Sequence, residues 1–501
     1  MAENLSESLP RSSPYTGTTL PQGRPFWIVD GRAYDFTEWM KIHPGGTTWF
    51  GPSQGRDISA LLHTYHRDPT RLRKVLARYE IDGFTENDVL PKLGVPPFLL
   101  DPDFDAATDL PRLDYRDEGS LLAEIRRKVN AKFSKRALKK YDRAFDAVTW
   151  VIAAAHVATL ALLIANRIPA WAFVAIMVVT RTALAGAGHY HLHRKWKDQH
   201  RLHLPLGKAL FDINYVGTSL IGADGHVLLH HPYMGSGADV KKTFFDGMLR
   251  LHPILRVPGY TLHKLGICLT GLSMRARELA KFERPQGGKA PNRADFWIIR
   301  AWIVIEFAAC LLTGHIVAWL VQFFLTLWFN TFLVVASHDF EEAETEAELE
   351  VIPEPLRNDW AARQICLSYD LSVVGNRWID LFLSAGLSPH RVHHVLPYHG
   401  SGFANLATED TVREVCTQAG IAWERPRSLF FDRFPAVIKH YLFCPVKPAP
   451  PRPSVLPPPR NQFPVQPPPP DLSPAPPPPA GRRQVRELVR YAADGWRGVG
   501  V

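Results

Sequence analysis

Three short groups of histidines stand out among the 21 histidines of this 501-residue chain. The first group is His189, His191 and His193; the second is His226, His230 and His231; the third is His390, His393 and His394. A lone His338 lies between the second and third groups. Residues three and four apart share one face of a helix, and neutral imidazole binds iron, zinc and copper. The spacing therefore predicts that several of these imidazoles converge on one metal cluster.

A second candidate site is the sequence His43-Pro44-Gly45-Gly46. The two glycines permit a tight backbone turn, which leaves the imidazole of His43 free to point into a pocket. A second histidine would have to approach that pocket from the opposite face. His63 and His66 are both candidates for this role.

The residues around this motif resemble cytochrome b5 over about residues 24–98. The matching positions, in the family's order, are Trp27, Gly31, Tyr34, Asp35, Thr37, His43, Pro44, Gly45, Gly46, Gly55, Arg56 and Asp57. The resemblance implies a small α+β domain that holds haem b between two axial histidines and transfers one electron at a time. Counting from Asp57, it favours His66 over His63 as the partner of His43.

Four long apolar runs predict membrane-spanning helices that position the histidine groups. They are residues 147–165, 170–188, 296–313 and 315–337. At about 1.5 Å per residue, each run approaches the ~30 Å thickness of a bilayer core. Arg300 and Glu306 fall within the third run, and we expect both to face the interior of the bundle. Four buried helices of a soluble protein are the alternative, but the short links within each pair favour two membrane hairpins.

The orientation of these hairpins follows from charge. A cluster of Lys and Arg between residues 126 and 143 precedes the first run, so the positive-inside rule places the N-terminus in the cytosol. Each hairpin returns the chain to the same side. Both termini, a helical cap and all the histidine groups are then expected on the cytosolic face, with the first group directly after the second run.

This arrangement resembles the superfamily of membrane fatty-acid desaturases and hydroxylases over about residues 146–442. The resemblance implies a non-haem di-iron centre that activates O₂ and removes hydrogen from an unactivated C–H bond. The implied ligands are His189, His193, His226, His230, His231, His338, His390, His393 and His394. His191 is additional to the family pattern, and His390 stands where front-end desaturases usually carry Gln. Segments 214–217 and 222–225 are also similar to the cytochrome b5-related proteins of animals.

The amino-acid composition argues against several other classes of protein. Hydrophobic residues make up 46% of the chain and charged residues 21%, which excludes global disorder. The net charge of +9 is modest and no long basic block occurs, so no nucleic-acid partner is expected. Five scattered cysteines without a CxxC motif argue against a disulfide scaffold or a cysteine-rich zinc module.

These patterns divide the chain into six segments. They are a disordered leader (1–22), a cytochrome b5-like haem domain (23–99), a connector (100–145), an all-α membrane desaturase-like domain (146–443), a proline-rich disordered segment (444–481) and a short basic helix with a tail (482–501). The last helix is expected to place Val485, Leu488, Val489 and Ala492 on one apolar face.

The two resemblances together imply an oxidoreductase of the endoplasmic reticulum membrane, an O₂-dependent fatty acyl desaturase. Its cofactors would be haem b and two non-haem iron ions, and its substrate a fatty acyl lipid or acyl-CoA. Electrons would come from NADH-cytochrome b5 reductase through the haem domain. Two alternatives stay open: a hydroxylase of fatty acyl or sphingoid chains, and a non-catalytic haem protein that carries electrons to others.

Overall fold

The computed structural model describes most of the chain. The described residues are 25–44, 50–55, 57–82, 113–114, 119–194, 200–216, 225–236, 239, 245–270, 294–338, 342–447 and 480–497. The predicted leader and most of the predicted proline-rich segment lie outside them. Within them a small α+β unit is followed by a helical domain, as the sequence predicts.

The α+β unit begins with a two-stranded hairpin, β1 (Trp27–Val29) and β2 (Arg32–Tyr34), which pair antiparallel through the turn at Asp30. Four helices follow: α1 (Thr37–Met40), α2 (Phe50–Ser53), α3 (Ser59–Tyr65) and α4 (Pro69–Tyr79). Apolar side chains from both strands and from α3 and α4 form its core, among them Trp27, Phe36, Leu62 and Leu76. His43 and His66 lie at the ends of α1 and α3, beside this core.

The predicted connector contains a helix, α5 (Leu121–Lys132), which starts where the Ser120 hydroxyl accepts a hydrogen bond from the backbone of Ala123. Its apolar face, including Ile125 and Val129, is buried in the same core as Val392, which lies within the third histidine group. The segment before the membrane domain is therefore packed against the candidate metal centre.

Three helices are long and apolar enough to cross a membrane, judged by length and composition among the described residues. They are α6 (Lys135–Ile164), α7 (Ala170–His193) and α13 (Ile316–Ala336). The third predicted run falls in α12 (Ala294–Leu312), which is not among the three. Arg300 and Glu306 are buried on α12, which confirms that both face the interior.

Two of the helices extend beyond the apolar runs that predict them. The first run is part of a longer helix, because the basic residues before it continue the helical turn from Lys135. The first histidine group does not follow the second span but forms its last turns, since α7 continues to His193. Close packing supports this extension: a Cβ added at Gly188 would lie 2.4 Å from the backbone nitrogen of Phe211, so α8 (His200–Asp212) can approach α7 only at a glycine.

The remaining elements include those that carry the second and third histidine groups. A π-helical turn (Gly225–His230) is followed directly by α9 (His231–Tyr233). Two further helices come next in the chain, α10 (Asp246–Leu249) and α11 (Pro253–Thr270). After α13 come α14 (Glu342–Glu350), a 3₁₀ turn (Glu354–Leu356), α15 (Trp360–Cys366), β3 (Leu371–Ser372), α16 (Arg377–Leu383), α17 (His390–Val395), α18 (Gly402–Gln418), β4 (Arg427–Ser428), a π-helical turn (Leu429–Arg433) and α19 (Phe434–Phe443). β3 and β4 pair in parallel.

The C-terminal helix α20 (Ala480–Arg497) packs against α11. Tyr491 is 7% exposed and its ring stacks on His263 at 4.3 Å between centroids. The expected apolar face is wrong in part, since Val485 and Val489 are 57% and 62% exposed. The buried face is centred on Tyr491 and Gly495 because α11 meets the helix on that side.

Candidate functional site

All nine histidines that the desaturase resemblance implies as ligands lie together. Five of them, which we call the five-histidine set, offer ring nitrogens that all lie within 4.8 Å of one another: His189, His193, His226, His231 and His393. His230, His338 and His394 meet the same criterion beside it. The ring of His390 lies 4.5 Å from those of His338 and His394, between centroids, and completes what we call the four-histidine set.

Four elements from distant parts of the chain bring these rings together. The last two turns of α7 carry His189 and His193, and the π-helical turn with the adjoining α9 carries His226, His230 and His231. His338 follows α13, while α17 presents the third group on one short helix. The i, i+4 spacing on α7 points both of its imidazoles toward the same space.

The distances between nitrogens suit metal ions. The Nε2 atom of His226 lies 2.7 Å from that of His189 and 2.9 Å from that of His231. Bonds of about 2 Å from a metal to imidazole nitrogen place two ligands at right angles about 3 Å apart. Both ring nitrogens of His393 are buried without a hydrogen-bond partner among the described residues, an arrangement that is costly unless a ligand meets them. The donor set therefore fits a metal centre.

Hydrogen bonds on the far side of three rings fix their direction. The Nδ1 atom of His230 lies 2.9 Å from the carboxylate of Asp239, and that of His394 lies 2.8 Å from Oε1 of Gln364. The Nδ1 atom of His338 lies 3.3 Å from the carbonyl oxygen of Leu367. Such partners fix which nitrogen faces a metal and raise its basicity. Sequence reasoning missed Asp239 and Gln364, and only an acidic residue shortly after the second group could have suggested the first of them.

Burial favours the uncharged form of three rings of the cluster. Desolvation, reinforced by the neighbouring imidazoles, holds the pKa of His226, His393 and His394 well below the ordinary value of 6.5. Neutral rings carry the lone pairs that bind metals, whereas protonated rings cannot. These three imidazoles are therefore neutral and available to bind metal cations.

The additional histidine of the first group lies outside both sets. The Nε2 atom of His191 is 3.6 Å from the carboxylate of Asp146, which also accepts a hydrogen bond of 2.8 Å from Arg194. This contact ties the end of α7 to α6.

A second site lies in the α+β unit. The rings of His43 and His66 face each other at 6.2 Å between centroids across a cavity of about 290 Å³. The cavity walls are mainly apolar and include Phe36, Trp39, Phe50, Ile58, Leu62, Tyr65, Leu72, Val75 and Leu76. With bonds of about 2 Å to each ring nitrogen, one metal ion fits between the two imidazoles. An apolar slot with two opposed histidines fits a haem.

The two candidates for the second haem ligand differ in what their rings contact. The Nδ1 atom of His66 lies 2.8 Å from the carbonyl oxygen of Leu62, which leaves Nε2 for the cavity, and burial lowers the pKa of His66 to about 4. The Nε2 atom of His63 instead lies 2.8 Å from the carboxylate of Asp30. The structure brings His66, and not His63, to the cavity.

Charged side chains inside the helical bundle are paired. The carboxylate of Glu306 contacts Arg181 and lies 3.0 Å from Nε2 of His156. Arg181 also donates to the carbonyl oxygen of Ile213 at 2.7 Å, and Arg300 pairs with Asp212 at 2.5 Å. Intramembrane charges are costly unless compensated in this way. The pairs hold the end of α8, which precedes the second histidine group.

Comparison with known proteins agrees with both sites. Residues 165–425 match the family model for fatty acid desaturases, and residues 18–82 match that for the cytochrome b5-like heme/steroid binding domain. The chain is 22% identical to an acyl-lipid omega-13 desaturase of Chlamydomonas reinhardtii over 83% of this chain and 92% of that protein. It is 23% identical to a probable Delta(5) fatty acid desaturase C of Dictyostelium discoideum over 74% and 82% of the two chains.

A shorter match gives a further relative. The chain is 36% identical to a cytochrome b5-related protein of Drosophila virilis over 11% of this chain and 38% of that protein. No solved structure matches the chain. Since the desaturase match spans more than half of the sequence, the chain belongs to the fatty acid desaturase family and carries a cytochrome b5-like domain ahead of its desaturase domain.

Proposed function

We propose that this membrane protein is an O₂-dependent fatty acyl desaturase that receives its electrons through its own haem domain. The observation that carries the proposal is the convergence of nine histidines from four distant elements into two adjoining sets. A mainly apolar cavity lined by His43 and His66 in the same chain supports the source of the electrons.

We assign the iron ligands according to the five-histidine set and the four-histidine set. The five-histidine set would hold one iron ion, the four-histidine set a second, and His43 with His66 would hold haem b. Two iron ions bound there would supply the activation of O₂ and the removal of two hydrogens from an acyl chain. The reaction balances as one CH₂–CH₂ unit, O₂, two electrons and two protons giving one CH=CH unit and two molecules of water.

The surrounding side chains have supporting roles. Asp239 and Gln364 hold the imidazoles of His230 and His394 so that Nε2 of each points into the cluster. Burial of His393 and its neighbours excludes water from the same space. Dry, fixed ligands favour oxidation of substrate over release of partly reduced oxygen.

An acyl substrate is supported by an apolar groove of about 620 Å³ between α7 and α13. Its lining includes Val174, Val178 and Leu325, and Thr182 is the lining residue of α7 nearest to His189 in sequence. Thr182 is seven residues before His189, about 10 Å along the helix. A fatty acyl lipid or acyl-CoA could place its chain there from the bilayer.

The membrane topology is proposed in the same way. With its charges paired, α12 would serve as a fourth span and complete a second hairpin with α13. The basic residues at the start of α6 support an orientation with both termini on the cytosolic side. An endoplasmic reticulum membrane and an NADH-cytochrome b5 reductase as electron donor suit this orientation.

The test is a complete fatty-acid and sphingoid-base profile, by mass spectrometry, of cells that express the wild type or His393→Ala. We expect a product two hydrogens lighter than its precursor with the wild type alone. A product that gains one oxygen would instead support the hydroxylase alternative. Identical profiles, with non-haem iron absent, would overturn the proposal in favour of an electron carrier.

A further inference from the structure

One helix connects the haem cavity to the histidine cluster. Tyr65 ends α3 and is followed directly by His66. Its side chain forms part of the wall of the haem cavity, and its ring lies 6.5 Å, between centroids, from that of His193. Its hydroxyl donates a hydrogen bond of 2.9 Å to the carbonyl oxygen of Val227, which follows His226 in the π-helical turn. Tyr65 thus contacts both sites.

The connector holds this end of α3 in place. The buried guanidinium of Arg126, on α5, donates to the carbonyl oxygens of His63 and Thr64. Arg67 reaches back to α5 and donates to Oδ1 of Asn130 at 2.6 Å. Since α5 is itself packed into the core that contains Val392, the position of His66 is fixed relative to the histidine cluster. The haem domain is docked, not merely tethered.

We propose that the ring of Tyr65 is the bridge by which each electron crosses from a haem held at His66 to the metal centre held in part by His193. This inference rests on the proposed function. Electron tunnelling weakens steeply with the empty space it must cross. The covalent path from His66 through the backbone to Tyr65, followed by one ring contact, replaces that space with bonded and packed atoms.

The transfer balances as a one-electron exchange. With both groups bound, one electron would pass from ferrous haem iron, which would become ferric, to one ferric ion held by the histidine cluster, which would become ferrous. No bond forms or breaks at Tyr65, which keeps its proton. Two such transfers serve each double bond, and an external one-electron reductant restores the haem after each one. The role of Tyr65 is therefore positional rather than catalytic.

The experiment measures the internal transfer directly, in the purified full-length protein in lipid nanodiscs without O₂. The haem is reduced by a flash with a deazaflavin sensitiser while the metal centre is oxidised, and reoxidation of the haem is followed by absorbance. We expect Tyr65→Leu to slow reoxidation about tenfold or more, as small displacements along a reaction path can. Tyr65→Phe keeps the ring and loses the hydroxyl with its bond to Val227, so its rate should stay within about twofold of the wild type.

Three further measurements distinguish a role of Tyr65 in electron transfer from a role in folding or in binding of the two centres. The haem spectrum, its midpoint potential and the iron content per chain should be unchanged in Tyr65→Leu. If that variant loses either centre, Arg126→Gln tests the same docking without altering the ring, and it too should slow transfer. A wild-type rate in Tyr65→Leu with both centres intact would overturn the inference, as would an equal loss of rate in Tyr65→Phe and Tyr65→Leu. Where Tyr65→Leu has lost a centre, a wild-type rate in Arg126→Gln would overturn it.

The same experiment also tests the proposed function, through a different comparison. His393→Ala, which should lack a complete metal centre, sets the background rate. If wild-type haem is reoxidised no faster than in this variant, there is no internal acceptor and the proposed function itself fails. A fast wild type with an equally fast Tyr65→Leu would remove the bridge alone.

Discussion

Histidines that are neighbours in the sequence have different roles here because their rings contact different partners. His66 turns one nitrogen to the carbonyl oxygen of Leu62 and the other to a cavity, whereas His63 meets Asp30. His191 lies between two histidines of the cluster in sequence and contacts Asp146 instead. The sequence predicts which residue types are available and on which helical face. It cannot predict ring direction, because the deciding partners are distant in the chain.

The contrast between His63 and His66 predicts opposite results for two neighbouring substitutions. His66→Ala should remove the haem absorbance, since one axial imidazole is lost. His63→Ala should keep it, because His63 does not line the haem cavity, although losing a buried side chain and its contact with Asp30 should cost about 1–3 kcal/mol of stability. Absorbance spectra of the oxidised and reduced proteins measure both. Loss of haem in His63→Ala with haem retained in His66→Ala would contradict the assignment.

The neutral cluster predicts a dependence on pH. The folded-state pKa of His226, His393 and His394 lies below the ordinary value, so the folded protein binds fewer protons than the unfolded chain. Their contribution to stability is complete above about pH 6.5 and is lost as the pH falls below it. Protonation also competes with metal ions for the same nitrogens.

Lowering the pH from about 7 to 5 should therefore lower the melting temperature and release non-haem iron together. Thermal unfolding and iron content after gel filtration at each pH measure the two effects. Iron content and melting temperature that are both unchanged at pH 5 would contradict the account.

At the scale of elements, hydrophobic patterning predicts that helices occur but not where they end. The apolar runs locate α6, α7 and α13, yet α6 begins in the basic connector and α7 continues through the first histidine group. Both extensions depend on tertiary contacts, such as the close approach of α8 at Gly188. The apolar face of α20 was misplaced for the same reason, since its partner α11 lies more than 200 residues earlier in the chain.

Because α20 packs closely on α11, one methyl group added at their contact should disturb the packing of the two helices. A Cβ added at Gly495 would lie 2.1 Å from the carbonyl oxygen of His263, whereas one added at Gly481 of the same helix would meet nothing within 4 Å. Gly495→Ala should displace the helix at a cost of about 1–3 kcal/mol. Gly481→Ala should leave the docking intact and serves as the matched control.

Hydrogen exchange of residues 480–497 reports on this docking directly. We expect faster exchange across α20 in Gly495→Ala and wild-type exchange in Gly481→Ala. Equal protection of the helix in the wild type and Gly495→Ala would show that the contact at His263 does not hold it.

At the scale of the whole molecule, two sites recognised from local motifs become one connected system. The motifs predict a haem domain and a histidine cluster, and the family match agrees with both. Neither motif predicts the division of nine histidines into two sets, nor the contact of Tyr65 with His193. Those features depend on segments that are far apart in sequence and meet only after folding.

The central claim is that one chain holds a haem and a separate two-metal centre. Its most direct test is the iron content per chain of the purified protein, measured by mass spectrometry beside the haem content from absorbance. We expect three iron atoms for each haem in the wild type and in His191→Gln, and a loss of non-haem iron in His393→Ala. One iron atom for each haem in the wild type would contradict the account.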